Sequence, residues 1–220
     1  MPRPLRLAVL MSLASAVVMT PGSLAQEAAR YQVDLKVTWS SETHPYEFPL
    51  GAHFSDLIGA SHDARYVLFA DGQTASSGLE LLAENGRASI LQAELAEASR
   101  RDRVGAVFTS EGLRTVPGVM TAEFDVDAEH ILVSLVTMIA PSPDWFTGVS
   151  TVALAREGTW VDRLELPLWA WDAGTDSGST YAAPDMDTQP RASVRLLATP
   201  HFLGGDGLRR VGTAILVRIR

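Results

Sequence analysis

The 220-residue chain has no cysteine. Its fold therefore cannot rest on disulfides, and thiolate metal sites and cysteine nucleophiles are excluded. Positive charge is scarce: Lys36 is the sole lysine, and 18 Lys+Arg face 26 Asp+Glu, giving a formal net charge of −8. Phosphate binding needs a basic face, so no nucleic-acid partner is expected, whereas cation binding or simple solubility suits an acidic chain. Asn85 is the sole asparagine and precedes Gly-Arg, which leaves no acceptor for N-glycosylation. Arginine in place of nearly all lysine reads as the codon usage of a GC-rich bacterium. No internal repeat or low-complexity segment is present.

What is there begins with export. Arg3 and Arg6 precede an uncharged apolar stretch from Leu7 to Met19, and Pro21-Gly22-Ser23-Leu24-Ala25 leads to Gln26. That is the pattern of a cleavable signal peptide cut after Ala25, since a spanning helix needs roughly 20 apolar residues. Cleavage takes two arginines and no acids, so the charge goes from −8 to −10. The expected organisation is a signal peptide over residues 1–25 and one domain over 26–220, secreted or periplasmic. That length supports one sizeable core.

Tyr31, Val33, Leu35, Val37 and Trp39 alternate with polar residues, the signature of a half-buried strand. Ser40 to about Asp63 reads as a long loop rich in Pro, His and Gly, and Arg65 to Ala70 as a short strand. Ser77-Gly-Leu-Glu80 and Ser89-Ile-Leu-Gln92 have capping-box spacing and predict two short helices, the first stopping at Asn85-Gly86. Further extended runs follow at Val104–Phe108, Met120–Val126, Ile131–Ile139, Ser150–Ala155, Thr159–Leu166, Ser193–Leu197 and Gly212–Ile219. This predicts an all-β sandwich carrying the two helices as an insertion or cover.

Two segments carry chemistry. The prolines of Pro141-Ser-Pro-Asp144 stop the preceding strand, so Asp144 sits in a loop or at a strand end. Asp172-Ala-Gly174-Thr-Asp176-Ser-Gly178 is a second, glycine-kinked loop. Between them a hairpin of matched arms, turning at Arg156-Glu157-Gly158, returns the chain to the end from which it left, so the loops should meet. Three crowded carboxylates repel unless protonated or neutralised by a cation, and oxygen-only ligation suits calcium better than zinc or magnesium. Spacing alone leaves open that these aspartates merely cap turns.

Ser134-Leu-Val-Thr-Met138-Ile-Ala-Pro141-Ser-Pro-Asp144-Trp-Phe-Thr-Gly148-Val, then Trp160, then Asp172-Ala-Gly-Thr-Asp176-Ser-Gly178 resembles the spondin N-terminal domain family. Trp39-Ser, Thr43-His44-Pro45, Phe48-Pro49, Ala52-His53-Phe54-Ser55, Ser61-His62, Ala75-Ser76, Gly78 and Leu82-Ala83-Glu84-Asn85-Gly86 follow the family's order. The likeness covers most of residues 31–197. It implies a C2-like antiparallel β-sandwich with one bound calcium held by Asp144, Asp172 and Asp176. It also implies a recognition or adhesion role, since the family's animal members are extracellular matrix and adhesion proteins with cell-surface or carbohydrate partners. The chain departs from them in lacking cysteines, in having Ser150 where an aspartate is frequent, and in lacking attached adhesion repeats, which weakens a matrix role more than calcium binding.

Rival readings have less support. His44, His53 and His62 fall nine residues apart, which is not a zinc spacing, and they read as ties for a long loop. Asp176-Ser-Gly178 resembles the turn of aspartic proteases, but one copy cannot supply the shared-proton pair, and no Gly-x-Ser-x-Gly elbow exists. A hydrolase built on Asp144, Asp172 and Asp176 is thus the alternative, and no catalysis is the expectation. Trp145, Phe146, Trp169 and Trp171 flank the acidic residues and could stack sugars, wedge into a membrane or anchor the loops. Anchoring is expected for Trp145 and at least one of Trp169 and Trp171. Membrane contact is disfavoured by the acidic surface unless calcium bridges it.

Overall fold

The computed structural model describes residues 28–220, so the expected signal peptide lies outside the described residues. The elements in order are β1 (Ala29–Val37), β2 (His53–Phe54), β3 (Leu57–His62), α1 (Ser77–Asn85), α2 (Ser89–Arg100), β4 (Val104–Ser110), β5 (Gly118–Val126), β6 (Leu132–Ala140), β7 (Trp145–Ala153), β8 (Ala155–Arg156), β9 (Thr159–Trp160), β10 (Arg163–Asp172), β11 (Arg195–Leu196), β12 (Leu203–Gly204), β13 (Gly207–Leu208) and β14 (Gly212–Arg218).

The alternation of β1 turns Tyr31, Val33, Leu35 and Val37 into the core, and β5 matches it with Met120, Ala122, Phe124 and Val126. The main strands follow the order β4-β3-β6-β7-β10-β14-β1-β5, every pairing antiparallel. The two ends of this path meet where Phe108 of β4 stacks on Phe124 of β5, with ring centroids 4.4 Å apart and planes 14° from parallel. The result is the expected mainly-β sandwich.

The helices cover one outer face. Leu79, Leu82, Leu91 and Leu95 pack with Ile58 of β3, Val136 of β6 and Phe146 of β7 in a second core. Strands β3 and β6 are therefore buried on both sides, which removes the polar alternation that marks a strand exposed on one face. This explains two corrections. Leu57–His62, expected within a loop, is strand β3, and Arg65–Ala70, expected as a strand, is irregular and buries Leu68 and Phe69 in that second core.

The helix starts also differ from expectation. Ser76, not Ser77, caps α1, its side chain accepting from the Leu79 N–H, and Glu94 of α2 accepts from Gly78. Helix α2 has no side-chain cap at all, because its preceding residue is Ala88. The left-handed stop at Gly86 is as expected, with φ 67°.

The expected long hairpin divides in two. A small β8–β9 hairpin turns at Glu157 and Gly158, which have φ of 50° and 77°. Strands β7 and β10 pair only at their far ends, Trp145–Gly148 against Trp169–Asp172. That register sets Asp172 opposite Trp145, so the two acidic loops do leave the sheet side by side.

Candidate functional site

Asp144 is the centre of the place where the loops meet. Its side chain is fully buried, and Oδ2 accepts the backbone N–H of Thr175 at 2.8 Å and of Asp176 at 3.1 Å. Oδ1 is equally buried and has no hydrogen-bond partner. Burial, and secondarily the charge of Asp172, push the Asp144 carboxyl from the usual carboxylate range up to about 6.

The second loop is shaped by its own aspartates. Asp172 Oδ1 accepts from Gly174 N–H at 2.8 Å, an Asx turn that Gly174 completes with φ 74°. Asp176 Oδ1 accepts from Gly178 at 2.6 Å and Oδ2 from Met186 at 2.8 Å, so this carboxylate staples the outward limb of the loop to its return. Both aspartates are nearly buried. The loop is tied further by Thr188 N–H to Thr175 O, and Arg191 reaches Glu80 and the Ala75 carbonyl of the helical layer.

Two groups escaped the sequence reading. Arg195 of β11 lies opposite Asp172 across an antiparallel pair, its Nη2 donating to Asp172 Oδ2 at 2.8 Å. Glu84 of α1 is held above its ordinary range, first by burial, while the charges of Glu80, Asp176 and Asp185 add to it. Neither is signalled by spacing, since each meets the loop only through the tertiary fold. Asp172, Asp176 and Arg195, with Trp145, Ser177–Ser179 and Leu196–Thr199, line a pocket of about 340 Å³.

The aromatics divide by role. Trp145 is buried and packs on Tyr181, Phe202 and His201 at centroid distances of 5.0, 5.6 and 5.3 Å, which anchors the loops from beneath. Phe146 is buried on the opposite face against Phe69. Trp169 and Trp171 are half-buried and, with Phe69, line a groove that has no ionisable side chain in its wall. Ser150 faces this groove and donates to Phe69 O at 2.6 Å, away from the acidic loops. The histidines are separate: His44 meets Thr43 and Phe202, His53 is exposed, and His62 sits in β3 bonded to Ser134 at 2.8 Å.

The family model described as Spondin_N matches residues 29–202. The chain belongs to the spondin N-terminal domain family. Rat and human spondin-2 are each 37% identical to it over 174 residues, and chicken spondin-1 is 36% identical over 209 residues. The spondin domain here spans about half the length of those spondin-2 chains, 53%, and 25% of chicken spondin-1. Among the described residues, no helix is long and apolar enough to cross a membrane.

Among the described residues, no group of three or more His, Asp or Glu side chains is placed to hold a metal ion. The buried, unpartnered Asp144 Oδ1 beside a second buried carboxylate nevertheless asks for positive charge, because an unpaired buried oxygen of this kind is costly. The donor set is oxygen throughout, which fits a hard cation whose remaining ligands are backbone carbonyls and water.

Proposed function

We propose that this spondin domain is an exported, non-catalytic recognition or adhesion module whose acidic loops are set by calcium. The carrying observation is Asp144 Oδ1, buried and unpartnered where the strand pairing gathers the two acidic loops. Asp144, Asp172 and Asp176 would hold the ion together with backbone oxygens. When bound, calcium supplies the charge that neutralises these carboxylates. The chain's own residues do the rest: Trp145 and Tyr181 brace the loops from below, and Asp176 fixes the loop's return through Gly178 and Met186.

Several features favour binding over catalysis. The one Asp-Ser-Gly turn uses its carboxylate to hold backbone amides, and Ser177 Oγ donates to Met186 O instead of facing a base. Export rests on the apolar stretch before Gln26. The partner class proposed is a carbohydrate or a cell-surface protein, in line with what the family resemblance implies. Contact with an anionic membrane is disfavoured by the net charge of −8.

Probing immobilised glycans and cell-surface ectodomains with the purified chain, in calcium and in chelator, tests the reading. Calcium-dependent retention on one class supports it. Hydrolysis of a presented ligand would overturn the non-catalytic part, and retention indifferent to calcium would separate recognition from the metal.

A further inference from the structure

The cross-strand pair formed by Asp172 and Arg195 is placed by register, not by chance approach of two long side chains. Strand β11 is only two residues long, and its pairing sets Leu196 against Trp171 and Arg195 against Asp172. Directly opposed residues of an antiparallel pair have neighbouring side chains. Both Arg195 nitrogens in contact reach the same oxygen, Nε at 3.2 Å and Nη2 at 2.8 Å from Asp172 Oδ2. The other oxygen, Oδ1, is taken by the Gly174 N–H. Arg195 also lines the pocket that Asp172 and Asp176 line, and the charges of Asp172 and, more weakly, Asp144 hold its guanidinium protonated.

The two partners differ in exposure. The Arg195 side chain is 68% exposed and that of Asp172 only 9%. The guanidinium can therefore leave for water at little cost, whereas the carboxylate cannot follow it. A divalent ion drawn to Asp144 Oδ1 and Asp172 would meet a like charge at the pocket wall. The ion and the guanidinium cannot both sit on Asp172 without strong repulsion.

We propose that Arg195 is a resident competitor for the cation, seated on Asp172 in the metal-free chain and displaced into solvent when calcium binds. This rests on the calcium reading above. It makes Arg195 a residue that sets affinity: it neutralises part of the acidic cluster when the ion is absent, and so lowers the cluster's attraction for calcium when the ion is scarce.

The test is calcium titration by calorimetry at low ionic strength on the parent chain and on R195Q, R195K and R100Q. Melting in chelator is measured for each. R100Q removes one positive charge far away on α2, where Arg100 pairs with Glu97, and controls for net charge. R195Q is expected to bind calcium about three- to tenfold more tightly than the parent, as suits loss of a weak exposed pair and of a like charge. It should also melt lower in chelator. R195K, which keeps the charge but not the fork, should fall between, and R100Q should match the parent.

Equal or weaker calcium affinity in R195Q overturns the proposal while leaving calcium binding intact, as does equal tightening in R100Q. Should R195Q not fold, R195K decides alone: affinity no tighter than the parent's overturns it. Binding to R195Q but not to the parent sustains the competitor, whereas no binding to either defeats both it and the calcium reading.

Discussion

The Thr175 backbone N–H donates to Asp144 Oδ2 at 2.8 Å, across 31 positions of sequence. This bond, with the one from Asp176, locks the Asp172–Gly178 loop onto the end of the β6–β7 connection. It satisfies one oxygen of Asp144 and leaves the other buried without a partner. A half-satisfied carboxylate is a stability cost in the metal-free chain and a reason to take up a cation.

The first prediction concerns that cost. The Asp144 carboxyl is pushed up to about 6, so the folded chain holds its proton more tightly than the unfolded chain. Stability from this protonation is present at pH below its ordinary value near 3.8 and is lost as pH rises through about 6. His44 acts in the opposite sense: burial pushes it down to about 4, and its contribution is lost as pH falls from 6.5 through that value. Comparing the parent with D144N cancels the histidine. In chelator at pH 7, D144N is expected to melt higher than the parent, with the gap closing by pH 4. A variant that melts lower at pH 7 contradicts this.

The two other aspartates separate by what else they hold. D172A and D176A should both lose the melting response to calcium. In chelator, D176A should lose about 1–3 kcal/mol, because the Gly178 and Met186 N–H groups both lose their acceptor, and D172A should lose less, because only the Gly174 N–H is left without one while the exposed Arg195 turns to water. Urea unfolding in chelator measures this difference.

Gly174 is required by the loop's backbone. It has φ +74°, and an added Cβ would lie 2.5 Å from Ala192 O. G174A is expected to cost on the order of 1–3 kcal/mol and to abolish the calcium response, since the loop cannot keep its Asx turn. Retention of parental calcium affinity would show that the turn is dispensable.

At the remote end of the fold, F108A removes the stack on Phe124 that closes the sandwich. About 3–5 kcal/mol of stability should be lost by urea unfolding, with calcium affinity unchanged for the folded fraction.

How much of this was legible in the sequence depended on how each segment is buried. Strands β1 and β5 have one wet face, so Tyr31–Val37 and Met120–Val126 show their alternation in the sequence. Strand β3 is covered by the helices on its outer face and lost that signature, so Leu57–His62 passed for loop. The convergence of Asp144 with Asp172 and Asp176 was foreseeable from a chain that returns on itself, although the pairing responsible is β7 with β10 at their far ends. Arg195 was not, because its place opposite Asp172 comes from a two-residue strand with no periodicity to read.

The central claim is that calcium completes the Asp144 site. Thermal melting of the purified chain at neutral pH, in chelator and in calcium at about a hundredfold excess over Kd, tests it most directly. Binding to the folded state alone should add about 2.7 kcal/mol, and for a domain of this size that is a rise of roughly 5–10 °C, absent in D144N. Identical melting temperatures in calcium and in chelator would contradict the account.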